Sequence, residues 1–279
     1  MGRTGALTVA LCLLGFAAPA RAQPQPCVGL LGAGPLIAGP GGTDFGQVAE
    51  ACPGNDLFLR LRAEVLVDSD DFYGAITAGA TLRARWQFRP LWTLSAAFDP
   101  ATLRYPINAV IKSTGVGVGP ATVGVQRSFF LLERTAVAAY ARLLLPWDSA
   151  RHNSARFGGE VGGSAQYWLC PCGGLRAGIS LPATLTVIGG GGHTIFAPSA
   201  LLAGVYSPRP WVAFSAGAVG RVQAAPNPAL QAVAARAEAR LENRCGWHVA
   251  LAGDVPVAGD DRTDATISIF VGREPRRGD

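Results

Sequence analysis

Hydrophobic and polar residues alternate along most of the chain. From 57 to 67 the odd positions are all Leu, Ala or Val, whereas Arg60, Arg62 and Glu64 occupy even positions. From 76 to 87 the even positions are apolar and the odd positions hold Thr, Gly, Arg and Gln. A period of two is typical of β-strands whose two faces meet different surroundings. The pattern predicts strands at 57–67, 73–87, 91–99, 114–127, 135–145, 157–169, 174–184, 195–206, 211–222, 229–241, 246–256 and 264–272.

One predicted strand has a second interpretation. Segment 229–241 is rich in alanine and also suits a helix. Its charged residues Arg236, Glu238 and Arg240 nevertheless alternate with alanines, which favours a strand.

The links between these strands are of two kinds. Five are short and turn-like, at 88–90, 131–134, 170–173, 207–210 and 242–245. The others are more polar and mostly longer, at 99–113, 147–156, 184–194 and 257–263, with short members at 68–72 and 223–228. Short turns at one rim and longer loops at the other are the anatomy of an outer-membrane barrel. We therefore predict an all-β fold, a closed antiparallel up-and-down transmembrane β-barrel of about 12 strands, within a range of roughly 10–14.

Aromatic residues collect beside the short turns. Tryptophan and tyrosine favour the membrane–water interface because their rings are apolar and their tips polar. The sequence predicts an aromatic girdle at this rim, formed by Trp86, Trp92, Trp168, Tyr206, Trp211 and Trp247. A soluble sandwich, or a soluble barrel with its apolar faces inward, also explains the alternation, but neither requires tryptophans at one rim.

Composition points the same way. Only 15% of the 279 residues are charged, against roughly 25% in typical soluble domains. The net charge is +5 for the full chain and about +3 without the two arginines of residues 1–22, which is too weak, without a basic patch interleaved with aromatics, to indicate a nucleic-acid partner. The mature part contains no apolar run of the roughly 18 residues that a spanning helix needs, and a chain that spans lipid without helices must form a closed barrel.

The chain divides into three predicted parts. Residues 1–22 have a basic start at Arg3, an apolar run and an Ala-Arg-Ala cleavage site at 20–22, and we interpret them as a cleaved signal peptide. Residues 23–55 form a Gly/Pro-rich N-terminal segment that we place in the periplasm. Residues 56–279 form the barrel. The expected location is the bacterial outer membrane, with outer-membrane lipid and the barrel-assembly machinery as partners.

Export also predicts that the cysteines form disulfides, because disulfides persist in oxidising compartments. Cys27 and Cys52 are the candidate pair that closes the N-terminal segment. The connectivity of Cys170, Cys172 and Cys245 stays open, with one thiol left over. The three histidines are scattered, so we predict no metal site and no cofactor.

Residues 115–146 carry a family resemblance. They read Gly115-Val-Gly-Val-Gly-Pro-Ala-Thr-Val-Gly-Val-Gln-Arg, then a hairpin, then a strand ending Leu-Leu-Leu-Pro146. This resembles the outer-membrane barrel family named after the MetA pathway of phenol degradation, although Val118 replaces that family's Asp and Trp147-Asp148 replaces its Thr-Gly. The resemblance implies an outer-membrane location and uptake of hydrophobic or aromatic compounds, and it implies no catalytic residue.

On the barrel interpretation, the polar faces line the lumen. The predicted lining residues are Arg60, Arg62, Glu64, Arg83, Arg85, Arg142, Glu160, Arg176, Arg221, Arg236, Glu238, Arg240 and Asp254. Arginines outnumber carboxylates in this set, and rings of arginine favour anions. Antiparallel counting across the 147–156 loop also places Arg142 beside Glu160 as a structural pair.

We predict a passive channel or transporter for small solutes, hydrophobic or anionic. The alternative is a closed structural or adhesive barrel whose N-terminal segment folds in as a plug. A lipid-modifying enzyme is the third hypothesis, with His248 the only histidine in a predicted strand, but no Gly-x-Ser-x-Gly elbow is present and no catalytic residue is assigned. The sequence predicts neither the solute nor the oligomeric state.

Overall fold

The computed structural model describes most of the chain after residue 47. The described residues are 45, 48–68, 73–106, 115–146, 154–188, 191–243, 245, 247–259 and 263–273. The strands are β1 (Asp56–Asp68), β2 (Tyr73–Arg89), β3 (Trp92–Pro106), β4 (Gly115–Gly117), β5 (Ala121–Leu132), β6 (Thr135–Leu145), β7 (Ser154–Cys170), β8 (Gly173–Ile188), β9 (Gly191–Phe196), β10 (Ser199–Arg209), β11 (Val212–Gln223), β12 (Ala229–Glu242), β13 (Trp247–Ala258) and β14 (Thr263–Arg273).

These strands form one closed antiparallel sheet. Strands β4 and β5 both pair with β3, and β9 and β10 both pair with β8, so each couple is a single interrupted position in the ring. Strand β14 pairs with β1, with Leu57 opposite Arg273, and this pairing closes the ring. We call each position in the ring a stave, whether it holds one strand or one of the two interrupted couples. The described strands therefore form a barrel of twelve staves, as the sequence predicts.

Burial alternates along the staves in the predicted phase. In β1, Leu57 is 58% exposed and Leu61 50%, whereas Asp56 and Arg60 are each only 4% exposed. The same alternation holds in β13, where Leu251 and Val255 are exposed and Ala252 and Asp254 are buried. Because the sheet is a single closed layer, the buried face is the inside. The apolar face is therefore outside, which excludes a soluble barrel with an apolar core.

Two link predictions need correction. The sequence predicts a loop at 184–194, but β8 continues to Ile188 and β9 starts at Gly191. The alternation continues through Leu185, which is exposed, and Thr186, which is buried. The glycines at 189–192 have no side chains and therefore show no alternation from which a strand could be predicted. Likewise β3 runs to Pro106, well into the predicted 99–113 loop.

The Ala-rich segment 229–241 is a strand, β12, as the alternation of its charges indicates. Its register with β13 sets Arg236 opposite Asp254, a partner that an isolated helix does not offer. In the described part of the chain, no helix is long and apolar enough to cross a membrane.

Candidate functional site: the barrel lumen and the segment that crosses it

The structure buries most of the predicted lining residues. The buried set is Arg60, Arg83, Arg85, Arg142, Glu160, Arg176, Glu238, Arg240 and Asp254. Arg221 and Arg236 are half-buried. Arg62 and Glu64 belong to β1, but their side chains lie outside the described part of the structure. That these residues line a pathway for solute stays a prediction.

Ion pairs connect the buried charges across neighbouring staves. Arg142 Nη1 lies 3.2 Å from Glu160 Oε1, which confirms the pairing that antiparallel counting predicts, and Ser180 Oγ donates to the same oxygen at 2.7 Å. Arg236 binds both oxygens of Asp254, with donor–acceptor distances of 2.6 and 3.0 Å. A planar guanidinium matched to a carboxylate in this way is a strong, oriented contact.

A third pair joins two residues of one strand. Arg240 Nη2 and Nε donate to Glu238 Oε1 at 2.6 and 3.0 Å. Both residues are on the inner face of β12, two positions apart, where a period of two places them.

Three buried carboxylates were missing from the sequence prediction: Glu50, Asp56 and Asp99. Asp99 accepts a 2.6 Å hydrogen bond from Thr81 Oγ1, and Asp56 pairs with Arg85. Among the described residues, these three carboxylates reduce the positive excess of the predicted lining set. Asp56 continues the even-numbered inner face of Phe58 and Arg60, so the alternation contained the signal for it. Glu50 lies in a segment without periodicity, where no sequence signal marks it.

Residues 48–55, called the crossing segment below, lie inside the barrel. Ala51 is 2% exposed and Cys52 1%. Gln126 on β5 donates through Nε2 to the main-chain oxygens of Glu50, at 2.6 Å, and Cys52, at 3.5 Å. The part of the N-terminal segment that the structure describes is thus held in the lumen. The periplasmic assignment of 23–55 falls mostly outside the described residues and stays a prediction.

Glu50 connects two distant walls of the lumen. Its Oε2 lies 3.0 Å from Arg85 Nη1 on β2, and its Oε1 lies 3.1 Å from Arg176 Nη1 on β8. Gln166 Oε1 accepts a 3.0 Å hydrogen bond from Arg176 Nε and so orients that guanidinium. Strands β2 and β8 are the second and seventh of the twelve staves. They are nearly opposite in the ring, so the crossing segment extends from one side of the lumen to the other.

Apolar contacts also fix the crossing segment to the part of the wall that runs from β5 to β10. Ala51 and Cys52 pack against Ala136, Ala138, Trp168 and Val205, with Phe130 at the edge. These partners belong to β6, β7, β10 and β5. On β8, Gly178 leaves room for the segment, because a Cβ there would lie 2.3 Å from Val48 Cγ1.

Trp168 corrects the girdle prediction. It is 1% exposed and faces the lumen, whereas its neighbour Tyr167 is 44% exposed on the outer face. One residue of register decides between the two faces of a strand, and position 168 falls on the even-numbered inner face of β7 with Gln166.

The other predicted girdle residues lie on the outer face or at its rim. Trp86, Tyr206, Trp211 and Trp247 are about half exposed or more, and Trp92 is partly exposed. Three of these tryptophans carry an arginine over the ring, at 5.2 Å for Arg127 on Trp92, 5.8 Å for Arg209 on Trp211 and 5.9 Å for Arg273 on Trp247. Cation–π contacts of this kind hold a charge beside an apolar surface.

His248 lies on the inner wall, 1% exposed, with its ring 4.7 Å from that of Phe58 in an edge-on contact. Arg83 stacks over Phe58 and Arg60 over Phe270, at 5.8 and 5.6 Å. The histidine therefore packs in an aromatic patch inside the barrel and does not face lipid, as an exterior lipid-hydrolysing site requires.

The cysteines fall into separate groups. Cys170 and Cys172 are joined by a disulfide across the β7–β8 turn, and Cys245 is an exposed free thiol. Cys52 is disulfide-bonded, but Cys27 lies outside the described residues, so the predicted pairing of these two stays a prediction. The described residues contain no cluster of three or more metal-ligating side chains.

Solved structures with a similar fold include two outer-membrane proteins. The COG4313 outer membrane channel from Pseudomonas putida F1 matches with a TM-score of 0.64 and 13% identity, over 79% of this chain and 95% of that chain. The KdgM porin in complex with disordered oligogalacturonate matches with a TM-score of 0.51 and 6% identity, over 78% and 99%. At these identities the likeness concerns the fold. No family model and no curated protein matches the chain, so the resemblance to the MetA-pathway family stays a prediction.

Proposed function

We propose that this protein is an outer-membrane β-barrel that lets small solutes pass passively through its lumen. The observation that carries the proposal is the closed ring of twelve staves with apolar side chains outside and paired charges inside. A closed sheet satisfies every backbone hydrogen bond within the barrel wall, which is the condition for strands to lie in lipid.

The outer surface supports a membrane location. Leu, Val, Ile and Phe side chains on most staves are more than a third exposed, among them Leu57, Phe214, Leu251 and Ile267. Soluble monomers rarely expose contiguous apolar patches larger than a few hundred Å², so apolar side chains exposed on most staves favour a surface in contact with lipid. The half-exposed tryptophans at the short-turn rim suit the interface between lipid and water.

The lining of the interior supports anionic solutes, one of the two predicted classes. Arg60, Arg83, Arg85 and Arg176 lie on the inner wall, and guanidinium groups attract anions at close quarters. The aromatic patch of Phe58, Phe270 and His248 offers an apolar surface beside them. Solutes that combine a small apolar body with a negative charge fit both features.

The test is ion conductance in planar bilayers, for the purified protein and for a variant without residues 23–54. We expect discrete conductance steps, larger or more frequent in the variant, and a reversal potential displaced toward that of the anion in a KCl gradient. Absence of conductance and of solute flux in both proteins would contradict a channel.

A second candidate function, a closed structural barrel, is favoured by one observation. The crossing segment extends between nearly opposite staves and is fixed there by ion pairs, hydrogen bonds and apolar packing. A barrel that stays silent in both forms of the conductance experiment, yet keeps its fold, has this structural role. Neither candidate involves a catalytic step.

A further inference from the structure

The guanidinium groups of Arg85 and Arg176 both bind one carboxylate of the chain itself, that of Glu50. Glu50 Oε2 lies 3.0 Å from Arg85 Nη1, and Glu50 Oε1 lies 3.1 Å from Arg176 Nη1. The side chains of all three residues are 7% exposed or less. The two arginines come from β2 and β8, so their approach to one carboxylate is a property of the closed barrel and not of a local sequence motif.

A small cavity adjoins this ion pair. It is lined by Val48, Glu50, Ser164 and Arg176, among others. Ser164 is 6% exposed, and its hydroxyl makes no hydrogen bond within the part of the chain that the structure describes. A buried hydroxyl without a partner costs free energy, and a hydrogen-bond acceptor placed in the cavity would remove that cost.

Exchange of carboxylates at this place conserves charge. If Glu50 leaves and nothing replaces it, the site has two buried guanidinium groups with one fewer partner, and breaking a buried pair in this way is strongly unfavourable. A solute carboxylate restores the pairing and, because no main chain tethers it, can shift toward the cavity that Ser164 lines and accept from this hydroxyl as well. A neutral solute of the same shape brings no negative charge to the two guanidinium groups and so does not restore the pairing.

We propose that Arg85, Arg176 and Ser164 form a binding site for the carboxylate of a small monocarboxylate solute, and that Glu50 is a built-in occupant which this solute displaces. The inference rests on the proposed function for its consequence, because displacement of Glu50 removes the two ion pairs that join the crossing segment to β2 and β8, and a segment held by fewer contacts leaves more of the lumen open. The solute that opens the lumen is then also the solute that permeates it.

The test uses benzoate as the probe and benzamide as its neutral isostere, on the full mature chain in planar bilayers. Millimolar benzoate is expected to raise the mean open conductance of the wild type several-fold, and benzamide to leave it unchanged. In Glu50→Gln the conductance is expected to be high without benzoate and to lose its response. The matched control Asp254→Asn removes a buried carboxylate that pairs with Arg236 between β12 and β13, and it should keep the benzoate response.

Binding is measured separately by titration calorimetry on detergent-solubilised protein, with folding checked by gel mobility before and after heating. Glu50→Gln should bind benzoate more tightly than the wild type, and Ser164→Ala about tenfold more weakly than the wild type, as for loss of one hydrogen bond to a charged group. Equal action of benzoate and benzamide, or equal benzoate affinity in the wild type and Glu50→Gln, would overturn the proposal.

The two proposals fail in distinguishable ways. If no form of the protein conducts but benzoate binds with the expected dependence on Glu50, the channel is refuted and the carboxylate site stands. If the protein conducts but benzoate neither binds nor acts, the channel stands and the site is refuted.

Discussion

Several of the arginines buried in this lumen are stabilised by a carboxylate that lies beside them. Arg142 shows the arrangement: its guanidinium meets Glu160 at 3.2 Å and stacks on the Tyr140 ring at 4.6 Å, while Ser180 donates to the same carboxylate. The desolvation cost of each charge is offset only while its partner is present. A pair such as Arg142–Glu160, whose members lie on neighbouring staves, therefore acts as a brace between them.

Glu160→Gln should destabilise the barrel by about 3–5 kcal/mol, because it leaves the Arg142 charge buried without its carboxylate. The measurement is urea unfolding in lipid vesicles, followed by gel mobility. The double variant Arg142→Met, Glu160→Leu removes both charges and should recover most of the loss. A single variant as stable as the wild type would show that the pair is not a brace.

At the scale of the strand, one residue of register decides between lipid and lumen. Leu251 is exposed and its neighbours Ala250 and Ala252 are buried, so β13 presents a different surface at every second position. The energetic consequence for an added charge is opposite on the two faces. On the lipid face it lacks any partner, whereas the lumen contains carboxylates and polar groups.

Leu251→Arg should therefore lower the stability of the barrel in vesicles by about 2–4 kcal/mol, the cost of arginine near the middle of a lipid-facing strand. The measurement is again urea unfolding, with Leu251→Ala as the control for loss of side-chain volume. A barrel that tolerates Leu251→Arg without loss would have this face in water.

Trp168 ties the crossing segment to the wall through Ala51 and Cys52. Trp168→Ala should loosen this contact and raise the open conductance, since removing a buried tryptophan leaves a cavity beside the segment. Tyr167→Ala, one residue away on the outer face, is the matched control and should leave conductance unchanged. Equal effects of the two variants would contradict the assignment of their faces.

How far sequence alone predicts such a molecule depends on periodicity. The staves and the Arg142–Glu160 pair followed from alternation, because a strand between two unlike surroundings needs a period of two. For Trp168 the general preference of tryptophan for the interface predicts the wrong face, whereas register predicts the right one. No sequence pattern marks Glu50, because the crossing segment has no period and its partners Arg85 and Arg176 meet only after the ring has closed.

At the scale of the whole molecule, the chain forms a closed barrel that is apolar outside and charged within. The pairing of β14 with β1 closes the sheet, the exposed leucines and valines form its outer surface, and the crossing segment connects nearly opposite walls. Closure is what makes the interior a compartment separate from lipid. A channel and a carboxylate site both depend on it.

The most direct test of this arrangement is a nitroxide scan of β13 in lipid vesicles. Single cysteines are introduced at successive positions 249–255, with the exposed free thiol removed by Cys245→Ser. Collision rates are measured with oxygen, which is concentrated in lipid, and with a water-soluble nickel complex. The account predicts that oxygen accessibility peaks at Val249, Leu251, Gly253 and Val255 and is low at the positions between them. Oxygen peaks at the even positions, or no period of two, would contradict it.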